Sequence, residues 1–232
     1  MTKMSSPVII SLGGSLVVPN GGIDTKFLTD FNIFIRKKIA EGRRFFIVVG
    51  GGAQARHYRD AGKAVVGKIT NIDLDWLGIH ATRLNAHLLR TIFQDIAHPR
   101  IVENYNKKLY RLKEPLVVAA GWKPGWSTDY CAVLLAQEYK SKVIINMSNI
   151  KKVYTGDPNK DKKVLPIDTI SWKDFSKLVG DKWSPGSNSP FDPVASRLAS
   201  EMGLTVYVLD GKDMRNVDNA LENRPFIGTV IG

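Results

Sequence analysis

The fold of this chain is predicted best from the stretch Ala119-Ala120-Gly121-Trp122-Lys123-Pro124-Gly125-Trp126-Ser127-Thr128-Asp129. The apolar run before it, 115–120, predicts a buried strand. The segment after it, 130–139, carries apolar residues at helical spacing. A strand, a turn with glycine and proline, and a helix therefore follow one another without interruption.

Such a strand–turn–helix unit is a natural anion site. The hydroxyls of Ser127 and Thr128 and the free N–H groups of the first helical turn would face the same spot. Trp122 and Trp126 flank that spot, and Lys123 adds a positive charge. These residue types favour a phosphorylated ligand that contains a ring. A plain crossover loop with two core tryptophans is the alternative.

Composition sets limits on the class of protein. The chain has 232 residues, of which 44% are hydrophobic and 24% are charged, as in soluble globular proteins. The net charge of +11 favours anionic partners without choosing among nucleotides, nucleic acid and acidic surfaces. Basic residues are spread along the chain without a long basic arm, so we expect no nucleic-acid partner.

The cysteine content and the apolar runs indicate the compartment. Cys131 is the only cysteine, which rules out an internal disulfide, and its helical position predicts a core side chain. The apolar run 8–18 is interrupted by glycines and does not resemble a secretory signal. No apolar run approaches the ~20 residues that a membrane-spanning helix needs. We therefore expect a cytoplasmic protein with no membrane partner.

Strands and helices are predicted to alternate along the chain. Such alternation predicts a three-layer α/β/α sandwich with a mostly parallel central sheet. The predicted strands are 8–12, 45–49, 100–102, 115–120, 143–147, 204–209 and 226–231. The main predicted helices begin at Asp24, after Gly52, at Asp73 or Asp75, at 127–129, at Trp172, at Asp192 and at Asp213, and the segments 151–166 and 180–190 are expected to be loops.

Four of the predicted strands end in glycines or small polar residues. Ligands of open parallel sheets bind beyond the carboxyl ends of the strands. Glycine there lets the backbone approach a phosphate and offer its N–H groups. The four strand ends are 13–15, 50–52, 121–128 and Ser148-Asn149. Together they predict a ligand site at one edge of the sheet.

The sequence excludes several kinds of chemistry. It contains no P-loop motif, no dinucleotide-binding fingerprint, no Cys/His metal cluster and no serine-hydrolase elbow. Phosphoryl transfer between two bound phosphates remains. That reaction needs in-line placement, Mg²⁺ and positive groups around the transferred phosphoryl. A phosphate acceptor is already anionic near neutral pH, so the lack of an obvious general base is no objection.

The order of the motifs resembles the amino acid kinase superfamily and, within it, the uridylate (UMP) kinases of the archaeal type. The resemblance spans about 8–231 and implies one domain, 1–232, with an acceptor lobe at about 1–140 and an ATP lobe at about 141–232. It also implies pyrimidine nucleotide biosynthesis, Mg²⁺ with ATP, and a homohexamer built as a trimer of dimers. The motifs are Leu12-Gly13-Gly14-Ser15, Gly50-Gly51-Gly52 with Arg56, 75–79 with 83–86, 124–129, Ser148-Asn149, 153–158 and Asp192-Pro193.

The resemblance also implies roles for individual residues. It implies UMP contacts at Gly51, Asp75, Trp122, Lys123, Pro124, Gly125, Trp126, Ser127 and Thr128. It implies ATP contacts at Gly14, Ser15, Gly52, Arg56, Ser148, Asn149, Tyr154 and Asp157. It implies catalytic roles for Arg56 and Asp192, and it assigns no side chain to a metal. Helix capping is the alternative role of Asp75 and Asp192.

Two departures from the superfamily pattern bear on the chemistry. Ser11 stands in the region where many members carry a first-loop lysine, which the archaeal type also lacks, and Phe191-Asp192 stands where other members carry a lysine near the head of the late helix. Another cation must therefore stabilise the transferred phosphoryl. Arg56, Lys123 and Lys182 are the candidates. Two alternatives stay open: a kinase similar to isopentenyl phosphate kinases, and a non-catalytic nucleotide- or oxyanion-binding member. Ser11 and Arg56 count against a kinase of the isopentenyl phosphate type. Those kinases carry a lysine in the first loop and a histidine after the second glycine run, where this chain has Arg56.

Overall fold

A seven-stranded sheet forms the centre of the computed structural model, which describes residues 6–110, 112–158, 160–161, 163–180 and 189–232. The strands are β1 (Val8–Leu12), β2 (Phe45–Val49), β3 (Leu116–Ala119), β4 (Val143–Ser148), β5 (Val153–Tyr154), β6 (Pro166–Ile167), β7 (Thr169–Ile170), β8 (Thr205–Asp210) and β9 (Thr229–Ile231). The helices are α1 (Gly14–Val17), α2 (Thr25–Ala40), α3 (Gly52–Val66), α4 (Asn71–Ile92), α5 (Thr128–Tyr139), α6 (Trp172–Val179), α7 (Pro193–Glu201) and α8 (Met214–Leu221).

The sheet is mostly parallel, as predicted. Its strand order is β3-β2-β1-β4-β8-β9-β7. All pairs from β3 to β8 are parallel, and β9 runs antiparallel to β8. β1 lies inside the sheet between β2 and β4, and Ser11 pairs in register with Val48 on one side and with Asn146 on the other. The carboxyl ends of β1, β2, β3 and β4 therefore share one edge of the sheet.

Helices cover both faces of the sheet and complete the three predicted layers. One core packs α2, α4 and α8 against the sheet, with Phe31, Phe93 and Val217 fully buried. The other packs α5, α6 and α7, with Phe175 and the predicted core residue Cys131. Every residue of β2 is buried, as expected for a strand covered on both faces. Within the described residues, no helix is long and apolar enough to cross a membrane.

Helix starts follow the capping chemistry of the sequence, with one correction. Asp24 caps α2 and Asp213 caps α8, each by accepting a backbone N–H. α4, however, is capped by Thr70, whose hydroxyl accepts from Asp73 N at 3.1 Å and donates to the Asp73 carboxylate at 2.6 Å. This reciprocal pair resembles a capping box, except that the Asp73 carboxylate accepts from the Thr70 hydroxyl and not from the Thr70 backbone nitrogen. Asp75 lies inside the helix, so capping is not its role.

Two further segments differ from the prediction, and most of a third lies outside the described residues. The short strands β5 and β6 form a pair at the two ends of the expected loop 151–166, and β6 extends one residue beyond it. The expected strand at 100–102 is reduced to an isolated bridge between Val102 and Ala119. In the expected loop 180–190, residues 181–188 lie outside the described residues, and so does the candidate cation Lys182.

Candidate functional site

A cleft of about 250 Å³ opens at the carboxyl edge of the sheet. Its walls come from the ends of β1, β2 and β3 and from the helices α3, α4 and α5. The lining residues are Gly14, Ser15, Gly51, Gly52, Ala55, Arg56, Arg59, Leu74, Asp75, Gly78, Ile79, Thr82, Gly121, Trp126, Ser127 and Thr128. Nine residues of the predicted site lie in this one cleft: Gly14, Ser15, Gly51, Gly52, Arg56, Asp75, Trp126, Ser127 and Thr128.

The floor of the cleft is made where two glycine loops touch. A Cβ at Gly14 would lie 2.2 Å from the backbone nitrogen of Gly52. Gly52 has a φ of +63°, and a Cβ there would lie 2.4 Å from the Gly14 carbonyl oxygen. Neither position accepts a side chain, because the contacts are with backbone atoms. The contact brings the first loop against the N-terminus of α3, where the helix dipole favours an anion.

Arg56 stands at the rim of this floor. One terminal nitrogen of its guanidinium donates to Ser15 Oγ at 3.3 Å, and the other donates to Asn20 Oδ1 at 2.9 Å. The first turn of α3 and the first glycine loop thus hold one exposed positive charge between them. That is the position in which a cation can neutralise a phosphate bound on the glycine floor.

Asp75 forms part of the opposite wall and is 9% exposed. Its Oδ2 accepts a hydrogen bond from the backbone nitrogen of Gly125 at 2.7 Å, which ties the loop before α5 to α4. Burial raises the pKa of Asp75, while the bond from Gly125 and the charge of Arg59 oppose that rise. In the part of the chain that the structure describes, the other carboxylate oxygen has no such bond, and the ribose contact stays a prediction.

The loop before α5 is stiffened by aromatic packing. Lys123 Nζ lies 4.6 Å from the ring centroid of Trp122 and 4.3 Å from that of Trp126, within cation–π distance of both. The two indoles meet edge to face at 4.8 Å, and Trp126 packs on Tyr130 at 4.4 Å. Trp126 lines the cleft, whereas Trp122, Lys123, Pro124 and Gly125 lie beside it. Lys123 is exposed, and its ammonium group lies over both rings.

Ser127 and two buried polar residues of α4 complete this side of the cleft. Ser127 Oγ caps α5 by accepting from Tyr130 N at 3.1 Å. Thr82 Oγ1 accepts from Gly121 N at 2.8 Å. Asn85 Nδ2 donates to the carbonyl oxygens of Gly50 at 2.9 Å and Gly51 at 3.2 Å. The helix α4 thus fixes both the glycine floor and the aromatic loop.

A pair of acidic residues lies where β1, α5 and α7 meet. Ser11 Oγ donates to Asp129 Oδ1 at 2.7 Å, and the backbone nitrogen of Asp192 donates to Asp129 Oδ2 at 3.1 Å. Asp192 is 4% exposed and caps α7, as predicted, through a 2.6 Å bond from Ala195 N. Its Oδ2 has no well-formed hydrogen bond within the described part of the chain.

The two carboxyl groups of this acidic pair are hard to ionise together. Part of Asp129 remains accessible, but its carboxyl group lies among packed protein atoms, and this loss of hydration raises its pKa to about 6. The bond from Ser11 opposes the rise and the charge of Asp192 adds to it. Burial also raises the pKa of Asp192. Below about pH 6 the pair therefore holds a proton at Asp129.

The residues predicted to bind ATP divide into two groups. Gly14, Ser15, Gly52 and Arg56 line the cleft. The others lie at the next strand end or beyond it: Ser148 ends β4, Asn149 follows it, Tyr154 belongs to β5 and Asp157 comes after β5. The first loop connects the two groups, because Gly13 N donates to the Met147 carbonyl at 2.8 Å. Binding of ATP by the second group stays a prediction.

Sequence reasoning missed several residues that the structure brings to the site. Thr82 and Asn85 lie three residues apart on α4, a spacing that places them on one face. Arg59 lies three residues after Arg56 on α3, and that spacing would have identified it. The bond between Ser11 and Asp129 joins positions 118 residues apart, and no local pattern indicates such a contact.

Known proteins are similar to this chain over almost its whole length. The model of the amino acid kinase family matches residues 6–210. A uridylate kinase of Methanocorpusculum labreanum is 34% identical over 227 residues, which cover 97% of this chain and 95% of that protein. A uridylate kinase of Methanoculleus marisnigri is 32% identical, with 97% and 94% covered. The crystal structure of uridylate kinase from Archaeoglobus fulgidus superimposes with a TM-score of 0.81 at 31% identity, covering 97% of this chain and 100% of that one.

Proposed function

Because this chain belongs to the amino acid kinase family, we propose that it is a UMP kinase, which transfers the γ-phosphoryl of ATP to UMP and releases ADP and UDP. One observation carries the proposal: a single cleft combines the two glycine loops, Arg56, Asp75 and an aromatic side chain. These groups suit the phosphate, the ribose and the base of one nucleotide. The full-length similarity to archaeal uridylate kinases supports the same acceptor.

In this proposal the protein positions the substrates and stabilises charge. An anionic phosphate oxygen of UMP attacks the γ-phosphorus and becomes the bridging oxygen of UDP. The bond from the γ-phosphorus to the ADP oxygen breaks, and that oxygen takes the negative charge, so no base is needed. The backbone at Gly51 and Gly52 and the guanidinium of Arg56 receive the phosphates. Asp75 Oδ1 accepts hydrogen bonds from the ribose hydroxyls of UMP, while Oδ2 keeps the bond from Gly125 N. The loop 122–128 surrounds the uracil, and Trp126 is its contact within the cleft.

ATP would lie across the first glycine loop, toward the second group of predicted residues. Gly14 and Ser15 would contact its phosphates, and Ser148, Asn149, Tyr154 and Asp157 would form the rest of its pocket. The bond from Gly13 to Met147, which joins the first loop to the end of β4, supports this continuity. We accordingly propose an acceptor lobe at about 1–140 and an ATP lobe at about 141–232 within one domain.

Mg²⁺ would arrive with ATP and neutralise charge on its phosphates. The described residues contain no group of three or more His, Cys, Asp or Glu side chains that could hold a metal. Asp192 Oδ2 is a buried oxygen without a well-formed hydrogen bond in the described part of the chain, and it would serve as a ligand or orient a bound water.

We further propose a homo-oligomer, in line with the hexamer that the family resemblance implies. Exposed apolar side chains on α3 and α4 support the proposal, because exposed hydrophobic residues on two adjacent helices are typical of a subunit contact. These side chains are Tyr58, Val65, Val66, Ile72, Trp76 and Leu84. Sedimentation velocity at several protein concentrations would measure the assembly.

The reaction is tested by measuring ADP release from Mg·ATP with UMP, CMP, dUMP, AMP and isopentenyl phosphate. Preferred turnover of UMP is the expected result. Preferred turnover of isopentenyl phosphate would replace UMP kinase by the related kinase activity. ATP or UMP binding without turnover of any acceptor would favour a non-catalytic member of the family.

A further inference from the structure

We propose that Arg59 binds the phosphate group of the acceptor beside Arg56 and so helps to select phosphate monoesters. The identity of the acceptor in this inference rests on the proposed function. The role of the Arg59 side chain rests on the geometry of α3. Arg59 is thus a second cation of the cleft in a chain that has Ser11 in place of the first-loop lysine.

The backbone places Arg59 and Arg56 on one wall. They are three residues apart on α3, and both line the cleft. The Arg59 Nε donates to the Ala55 carbonyl at 3.0 Å, which folds the side chain back along the helix toward its N-terminus. Arg59 and the glycines at positions 51 and 52 line the same cleft. No acceptor within the described residues satisfies its two terminal nitrogens.

The electrostatic surroundings of Arg59 favour an anion beside it. The side chain is partly buried, and loss of hydration lowers its pKa. The charge of Arg56 lowers the pKa further, while Asp60 and Asp75 raise it. Two guanidinium groups that repel each other in one cleft are stabilised when a phosphate binds between them. The planar fork of arginine suits two phosphate oxygens at once.

The neighbours of Arg59 assign it to the acceptor and not to ATP. It shares the cleft with Asp75, Thr82 and Trp126, on the side formed by α4 and the aromatic loop. The residues predicted to surround the rest of ATP, such as Asn149 and Tyr154, do not line this cleft. A phosphate that contacts both arginines therefore has its ribose near Asp75.

The test compares Arg59→Ala and Arg59→Lys with Lys63→Ala. Lys63 is an exposed lysine one turn further along α3 and does not line the cleft, so its removal changes the net charge by the same amount. Steady-state kinetics give kcat and KM for UMP and for ATP. Calorimetric titration with UMP in the absence of ATP gives the dissociation constant independently of turnover.

We expect Arg59→Ala to raise KM and the dissociation constant for UMP at least tenfold, with KM for ATP changed less than twofold. Arg59→Lys should recover part of the loss, because a lysine keeps the charge but not the bidentate geometry. Lys63→Ala should change each constant less than twofold. A loss in Arg59→Ala no larger than in Lys63→Ala, or an equal loss for ATP and UMP, would overturn the assignment.

The wild-type protein separates this proposal from the proposed function. If it turns over another phosphate monoester in place of UMP, the UMP assignment fails and the same variants are measured with that acceptor. If it binds UMP without turnover, the proposed kinase activity fails. The UMP dissociation constant of Arg59→Ala relative to that of wild type, measured by calorimetry, still decides the role of Arg59. If it binds no phosphate monoester, both proposals are refuted.

Discussion

Replacement of Asp129 by asparagine should change the pH dependence of folding. In the native protein the pKa of Asp129 is about 6, against an ordinary value of 3.8. A carboxyl group whose pKa is raised by folding stabilises the native state only while it is protonated. Its contribution is complete below about pH 4 and is lost as the pH rises through about 6. Each pKa step is equivalent to about 1.4 kcal/mol, so the loss reaches up to about 3 kcal/mol by pH 7.5.

Asparagine removes this penalty and can keep both contacts. Its Oδ1 can accept from the backbone nitrogen of Asp192, and its Nδ2 can donate to Ser11 Oγ. We therefore expect the free energy of unfolding of Asp129→Asn, minus that of wild type, to rise by about 2–3 kcal/mol between pH 4 and pH 7.5. The difference between the two proteins is the relevant quantity, because the other carboxyl groups titrate in both.

Urea unfolding of both proteins at four pH values measures this quantity. Ser11→Ala is the matched control, because it removes the hydrogen bond that lowers the pKa of Asp129. It should destabilise the protein more at pH 7.5 than at pH 4, opposite in sign to Asp129→Asn. A stability difference that does not change with pH in Asp129→Asn would refute the assignment of a raised pKa to this group.

Three further substitutions test the site. Asp75→Asn should raise KM for UMP about 10- to 100-fold while KM for ATP stays within about twofold, because asparagine can still accept from Gly125 N but loses the charge that would hold the ribose hydroxyls; equal changes in both KM values would show that Asp75 does not contact UMP. Arg56→Ala should lower kcat about 10²- to 10³-fold at saturating substrates, and a rate near that of wild type would assign the stabilising charge to another residue. Gly14→Ala should destabilise the fold by about 3 kcal/mol or more, because the new Cβ would lie 2.2 Å from Gly52 N, whereas Gly78→Ala in the interior of α4, with open space around it, should be neutral or stabilising by up to about 1 kcal/mol in thermal unfolding.

The main sheet was predictable because its strands are short apolar runs buried on both faces. Phe45–Val49 is an example, since five consecutive apolar residues followed by three glycines leave few alternatives to a central strand. The strands β5 and β6 were not predictable, because two residues each are too few to show a period. Val153 enters the core through the tertiary contacts of the hairpin, although its neighbours along the chain are polar.

Several residues near the start of α4 compete to cap the helix. Thr70, Asp73 and Asp75 are all good capping residues, and the sequence analysis considered only the two aspartates. The threonine prevails because its hydroxyl and the Asp73 carboxylate satisfy each other across one turn. That choice leaves Asp75 free to face the cleft from inside the helix.

The candidate site was predictable where it depends on motifs and less so where it depends on distant contacts. The glycine loops and the Ser127-Thr128 turn were identified from their place at strand ends. The approach of Gly14 to Gly52 and the support of both loops by Asn85 required the three-dimensional arrangement. The role of Arg59 also required it, because a lone arginine on an exposed-looking helix is usually a solvated charge.

The serine at position 11 bears on two features of the carboxyl edge of the sheet: the raised pKa of Asp129 and the two arginines of α3 that line the cleft. A lysine at this strand position would lie against Asp129, because the Ser11 hydroxyl already does so at 2.7 Å. Burial raises the pKa of Asp129, and the Ser11 hydroxyl opposes that rise less than an ammonium group at the same place would. Positive charge near the phosphates must then come from elsewhere. The cleft supplies it from α3, where Arg56 and Arg59 stand on one wall opposite the loop that carries Trp126. In the proposed site, the positive charge therefore comes from the helix α3 beside the acceptor and not from a lysine on β1.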